Sequence, residues 1–298
     1  MHQFFLNIFE LFFSFGVFCI RVLLGIHSFR NMFRKFSSEN HQKIVVLGNG
    51  PSLSTTLSLY EKELQNNICV CVNQFATSKY FRILKPRYYV LWDPNYWNRN
   101  CSESLTKMIQ SLVDILKTVD WKMTIFIPID AKKWSLFKNL PSENTNIEIS
   151  YVNYLMYYGE GFQKFIFSLY ERNFLTIRAQ NVLVEAIFLA LGMKFKEILI
   201  VGADHTWTDE LFVDDSNVLF LKNEHFNDTG TPKMKPFYKD GSQKVTFTMS
   251  EILKTFSLMF KGYEQLEQYS RYLGVKIYNC TEKTYIDAFE RRKLKDLL

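Results

Sequence analysis

"KIVVLGNGPSL", Lys43 to Leu53, decides the fold. An apolar, strand-forming run stops at Gly48-Asn49-Gly50-Pro51 and is followed by Ser52. Two glycines in three positions relax the φ restriction and remove Cβ atoms that would hold a ligand off the backbone. Pro51 suits the first turn of a helix, where its missing N–H costs nothing. A strand, a tight glycine turn and a helix N-terminus together make a place for an anion. The run has neither the Gly-Lys-Ser/Thr of a P-loop nor the third glycine of a dinucleotide fold. A plain strand-to-helix turn is the other reading of the same residues.

Outward from this turn, strand-like and helical runs alternate. The pattern predicts strands at 44–47, 68–72, 88–92, 124–127, 147–152, 198–201 and 275–278, and helices at 53–64, 102–116, 177–192 and 249–274. Such alternation implies an α/β fold, Rossmann-like, with a mostly parallel sheet and helices on both faces. Ligands of such sheets sit at the carboxyl ends of the strands. The segment 204–244 is polar, rich in Gly and Pro and without clear periodicity, which reads as a lid or binding loop. The domains expected are a membrane-associated helix over 1–36, a linker over 37–42 and a nucleotide-binding catalytic domain over 43–298.

The chain of 298 residues is 47% hydrophobic and 22% charged, with a formal net charge of +6, enough for one large or two small globular domains. That charge fits an anionic ligand or membrane face; no basic stripe marks a nucleic-acid binder. The five cysteines, Cys19, Cys69, Cys71, Cys101 and Cys280, form no ligand-spaced cluster. Buried thiols in a reducing compartment are expected, with neither disulfides nor a metal site.

"FFLNIFELFFSFGVFCIRVLLGIHSF", Phe4 to Phe29, is far more apolar than the rest. It lacks the basic start and cleavage site of a signal peptide. At about 100° per residue, Gln3, Asn7, Glu10, Ser14, Arg21 and Ser28 fall in one narrow stripe. Three arrangements fit: a spanning helix with the stripe on a partner, an in-plane helix, or an amphipathic helix of the core. Arg30, Arg34 and Lys35 follow directly, which places the downstream domain on the cytoplasmic side.

Four strand ends gather polar groups: Gly48 to Ser52, Asn73-Gln74 after "ICVCV", Asp93-Pro94-Asn95 after "YYVLW", and Gly202 to His205 after "EILIV". They supply amides for a base or sugar, backbone N–H groups for phosphate, and a titratable pair. His205 beside Asp204 is either a general base or a histidine that hydrogen-bonds its own loop. His225, in "NEHFND", lies in the expected lid, where Glu224 and Asp228 can raise its basicity. Asp214-Asp215 is not the Asp-x-Asp of metal-dependent sugar transferases.

"IVVLGNGPSL", "CVNQF" and "DPNYW" together resemble the bacterial sialyltransferases of glycosyltransferase family 42. They also resemble the related MptE-like (6-hydroxymethylpterin diphosphokinase-like) domains of surface-polysaccharide loci. "AIFLALGMKFKEILIVGADHTW" is similar to both groups, and "YLGVKIYNCTEKTYIDAFER" to the MptE-like one. The sialyltransferase likeness implies donor binding through Asn49, Gly50, Ser52 and Asn73, with Gly48, Asp93 and Asn95 beside them. It implies His225 as the base, with no metal and no cofactor beyond a nucleotide-sugar donor, CMP-linked, and a glycan or lipid-linked acceptor. The chain departs from that family in having Asp93 where an Asn precedes the Pro, and in lacking tyrosines to receive the leaving phosphate. The MptE-like likeness implies instead a diphosphotransferase using ATP and Mg2+, with Asp93, Asp204 and Asp214 as carboxylates. Either protein could work as an oligomer.

Overall fold

The computed structural model describes residues 2–36, 42–97, 103–133, 136–222, 234–239 and 245–298. Helix α1 spans His2–Leu23 and the chain then enters β1, Lys43–Leu47. Alternation follows: α2 Leu53–Gln65, β2 Cys69–Val72, α3 Tyr80–Leu84, β3 Tyr88–Val90, α4 Glu103–Lys117, β4 Met123–Pro128, α5 Leu140–Glu143 and β5 Ile147–Val152. Next come α6 Gln163–Tyr170, α7 Val182–Gly192 and β6 Glu197–Val201. A second group of strands, β7 Leu211–Val213, β8 Leu219–Lys222 and β9 Met234–Pro236, precedes α8 Met249–Leu273, β10 Lys276–Asn279 and β11 Glu290–Arg291.

The main sheet has eight strands in the order β11-β10-β6-β1-β2-β3-β4-β5, all paired in parallel. The fold is therefore α/β and Rossmann-like. Its strands are buried on both faces, which is why they read as unbroken apolar runs such as "IVVL" and "CVCV". One core layer holds Val46, Val70, Phe188 and Tyr263; the other holds Leu47, Leu57, Phe81 and Leu112. From β1 the chain winds to β5 on one side, then crosses back to β6 on the other. The switch point lies between β1 and β6, and it is there that a crevice opens at the carboxyl edge.

Two departures from the sequence reading have local causes. Helix α7 begins at Val182 and not at 177, because Asn181 is extended and its side chain accepts from Val184 N as an N-cap. The segment 204–244 is not an unstructured lid throughout: its described part carries the antiparallel sheet β7-β8-β9. The β7–β8 turn is made by Asp214, whose Oδ1 accepts from Ser216 N (3.0 Å) and Val218 N (2.8 Å), and by Asn217 at φ 59°. A cluster of Leu219, Ile252 and Phe256 fixes this small sheet to α8.

Helix α1 lies against the α/β domain with its polar stripe inward. Ser14 is buried, Arg21 meets Asp130 at 2.6 Å, and Asn7 Oδ1 accepts from Glu160 N at 3.2 Å. Leu11, Val17 and Phe18 pack on the core beside them. The expected linker falls on residues outside those described, apart from its last, Gln42.

Candidate functional site

Above the switch point is a cleft of about 790 Å³, within the range of small-molecule sites. It draws on every strand end singled out in the sequence. Gly48, Asn49, Gly50, Asn73, Asp93, Asp204 and His205 line it; Ser52 and Asn95 are not in the lining but bond Asp204 and Asp93, which are. His225 lies outside the described residues.

The glycine turn is filled from within the chain. Gly48 N donates to Val201 O (2.8 Å) and Gly50 N to Gly202 O (2.9 Å), so β1 and β6 stay paired beyond their ends. The Asp204 carboxylate sits on the start of α2, accepting from Ser52 N (3.2 Å) and Ser52 Oγ (2.9 Å). A Cβ on Gly50 would lie 2.1 Å from Asp204 Oδ2, and one on Gly48 would lie 2.3 Å from Gly202 O. Both glycines are thus required by close approach, as the sequence suggested, but the approaching groups are Gly202 and Asp204. The anion held by this helix N-terminus is Asp204 itself. Burial raises the Asp204 pKa and the hydrogen bonds from Ser52 oppose that rise. The N–H groups of Gly48, Gly50 and Ser52 are therefore spoken for.

Two residues of the cleft wall keep polar atoms buried without a partner. Asn49 Nδ2 donates to Val72 O (3.0 Å), while its buried Oδ1 has no partner. The Trp92 indole N–H is buried and also without a partner. Orphaned polar atoms at a cleft wall cost free energy unless a ligand or water meets them. Asn73 has a positive φ of 45°, and its Oδ1 accepts from Trp92 N at 3.2 Å, tying β2 to β3. Asp93 caps the turn after β3 by accepting from Asn95 N at 2.9 Å.

His205 is buried, at φ 54°, with its ring tilted over Trp207 at 4.5 Å between centroids. Its Nε2 lies 2.6 Å from Tyr263 Oη and 3.2 Å from Asn181 Nδ2. Burial lowers its pKa to about 3, so the ring is neutral and Nε2 accepts from the tyrosine, leaving the proton on Nδ1. Its partners are thus Tyr263 of α8 and the α7 cap Asn181, and not its own loop.

Charged residues around the described lining are Asp93, Asp204, Glu210 and Lys222, with Lys222 Nζ 3.7 Å from Glu210. The lining is acidic. Among the described residues no group of three or more His, Cys, Asp or Glu is placed to hold a metal ion. Asp214 does not reach the cleft, being committed to the β7–β8 turn.

Sequence reasoning missed Trp92, Tyr154, Asn181, Glu210, Lys222 and Tyr263. Asn181 was legible as the cap before "VLVEAIFLALG". Trp92 and Tyr154 lie just past the ends of β3 and β5, Glu210 just before β7, Lys222 at the end of β8 and Tyr263 within the long α8, where pattern gives no hint of convergence.

No family model matches the chain, and no curated protein matches it. Among solved structures it is similar to the MAf glycosyltransferase from Magnetospirillum magneticum AMB-1, with a TM-score of 0.48 and 10% identity. That likeness covers 87% of this chain and 35% of the other, so the chain spans about a third of that protein's length.

Proposed function

We propose that the chain is a glycosyltransferase that binds a nucleotide-activated sugar, CMP-linked, in the cleft above the β1–β6 switch point. It passes the sugar to a glycan or lipid-linked acceptor of bacterial surface polysaccharide, on the cytoplasmic side of the inner membrane. The observation that carries this reading is the cleft itself: polar residues from four strand ends converge around about 790 Å³, and the wall residues Asn49 and Trp92 each hold an unpaired polar atom just beneath its surface. A nucleobase edge, carrying both hydrogen-bond donors and acceptors, would satisfy these two atoms once the side chains turn outward.

The charge of the lining selects among donors. Three carboxylates and one paired ammonium disfavour polyphosphate, since like charges a few Å apart in a partly buried site repel by several kcal/mol, about 4 at an effective dielectric of 20. A monophosphate-linked sugar brings the least phosphate charge. In the proposed reaction a base, His225 in this reading, takes the proton of the acceptor hydroxyl. The hydroxyl oxygen bonds the anomeric carbon from the face opposite the nucleotide, the bond to the phosphate oxygen breaks, and the nucleotide leaves with that electron pair. Asp204 holds the glycine turn in shape, and the neutral His205 is fixed by Tyr263 and Asn181 as part of the wall. The diphosphotransferase reading has less support, because Asp204 is engaged by Ser52 and Asp214 lies away from the cleft, leaving Asp93 without partners for Mg2+.

Calorimetric titration with CMP, and with ATP with and without Mg2+, tests the choice. Binding of CMP that is indifferent to Mg2+ is expected. Binding of ATP only with Mg2+, and none of CMP, would replace this reading by the other.

A further inference from the structure

The geometry points to α1 as an in-plane membrane seat: it lies flat on an anionic bilayer with the α/β domain docked on its upper face, and does not cross. This inference does not depend on the proposed reaction. It begins with the two sides of the helix. At about 100° per residue, Asn7, Leu11, Ser14, Phe18 and Arg21 share one face, and all of them are covered or partly covered by the domain. On the opposite face, within about 100° of arc, stand Phe5, Phe9, Phe12, Phe13, Ile20 and Leu23, between 57% and 85% exposed.

The bonds on the docked face are specific and spread along the helix. Asn7 meets Glu160 N, Arg21 bonds both Asp130 and the carbonyl of Ile26, and Ser28 N beyond the helix donates to Asn153 Oδ1 at 2.7 Å. A helix of 22 residues is about 33 Å long, so these ties hold it parallel to the domain surface. Were it to span, that surface would follow it into hydrocarbon. The surface includes Asp130 and Glu160, the latter paired with Lys261 at 3.3 Å. Charged groups there cost several kcal/mol each. Lying flat satisfies both faces at once.

Charge complementarity selects an anionic bilayer as the occupant over a second copy of the chain. Directly after the apolar face come Phe29 and Arg30, both exposed, and a groove of about 390 Å³ lined by Arg34, Arg172 and Lys194 along with Asn31. Three cations and one carboxylate, Glu171, make that groove basic, whereas the substrate cleft is acidic. Two copies meeting through this end would oppose their own cations; lipid phosphates would neutralise them. Exposed Phe162 and Phe165 flank the other end, next to Gly161, which touches Asn7.

The test uses the full chain and vesicles of phosphatidylcholine with about three in ten phosphatidylglycerol. Sedimentation should recover the protein with the vesicles. Phe9→Asp with Phe12→Asp should weaken binding about tenfold or more per phenylalanine, while Leu59→Asp, an equally exposed leucine on α2 (65% exposed), should leave it unchanged. Arg172→Glu with Lys194→Glu should remove the preference for anionic over neutral vesicles. Spin labels at positions 5, 12 and 23, with Cys19, Cys101 and Cys280 changed to Ser, should report one shallow depth. Depths that place position 12 at the bilayer centre with 5 and 23 near opposite faces would overturn the inference in favour of a spanning helix. A chain that ignores vesicles and dimerises until Phe9 and Phe12 are replaced would overturn it in favour of self-association, and an anionic preference that survives the Glu variants would overturn the role of the groove.

Discussion

Replacing Glu185 by Gln should change the pH dependence of folding more than any other single substitution of a carboxylate. Glu185 lies in the first turn of α7, fully buried, with Oε2 accepting from Thr176 Oγ1 at 2.8 Å and Oε1 without a partner. A helix N-terminus favours a carboxylate by about 0.3–1 kcal/mol; removal from water costs a charge far more. Burial wins, and the pKa rises from 4.5 to about 8. The folded chain therefore keeps a proton that the unfolded chain releases, so stability is full below pH 4.5 and falls as pH rises toward 8. At about 1.4 kcal/mol per pH unit, that interval is worth about 5 kcal/mol, an upper figure because the interior relaxes around a charge. His205 opposes it: neutral when folded, with its pKa lowered from 6.5 to about 3, it makes stability rise with pH across that window. The two slopes offset one another between 4.5 and 6.5, and above 6.5 only the loss from Glu185 remains, about 2 kcal/mol by pH 8. His27, its pKa lowered from 6.5 to about 4 by burial and by the Arg21 charge, adds a further rise up to pH 6.5, so wild-type stability should peak there. Urea unfolding of wild type and Glu185→Gln from pH 4.5 to 8.5 isolates the Glu185 part, since the histidine part is common to both. The amide keeps the Thr176 contact and cannot ionise, so the two curves should diverge steadily up to pH 8. Parallel curves would mean that Glu185 is charged in the folded protein, and the burial argument would fail.

Gly48→Ala should destabilise by about 1–3 kcal/mol, read as a lower melting temperature, because its Cβ would meet the backbone of Gly202 at 2.3 Å; an unchanged melting temperature would show that β1 and β6 can separate there. Asn49→Ala should weaken CMP binding, removing the unpaired acceptor at the cleft, while Ser54→Ala, on the exposed side of α2, should not; equal effects would make Asn49 a scaffold residue. His205→Ala should lower stability yet leave the acidic limb of a pH–rate profile in place, since a group with pKa about 3 stays neutral from pH 5 upward, whereas His225→Ala should lower turnover by about 10²–10⁴-fold. Loss of the acidic limb in the His205 variant alone would reverse those roles.

The parallel sheet was legible because its strands are buried on both faces and β1, β2, β5 and β6 stop directly at glycine or Asn; every expected strand is present within a few residues of its expected ends. The small sheet β7-β8-β9 was not, although "LFVDDSNVLFLK" holds two apolar runs around a turn-forming Asp-Asp-Ser-Asn. Strands of three or four residues are too short for alternation to register. At the site, pattern could place Asn49 and Asp204 at neighbouring strand ends. It could not reveal that the side chain of one strand end occupies the anion position of the other, because that depends on the β1–β6 register. The polar stripe of α1 was legible but left three arrangements open, and sequence alone does not say that the stripe meets Asp130, Asn153 and the 157–161 loop of the same chain.

Helix α8 carries two regions of the site at once. Its first turns hold β8 through Ile252 and Phe256, and Phe256 stacks on Trp207 at 5.7 Å. Farther along, Gly262 lets it approach the Arg178 carbonyl closely, and Tyr263 grips His205. Over 25 residues, about 37 Å, such a rod bends little. The small sheet and the histidine wall of the cleft are mounted on one beam, so neither can be repositioned alone: a substrate that draws the sheet inward also loads the Tyr263–His205 contact, and mouth and wall respond as one mechanical part.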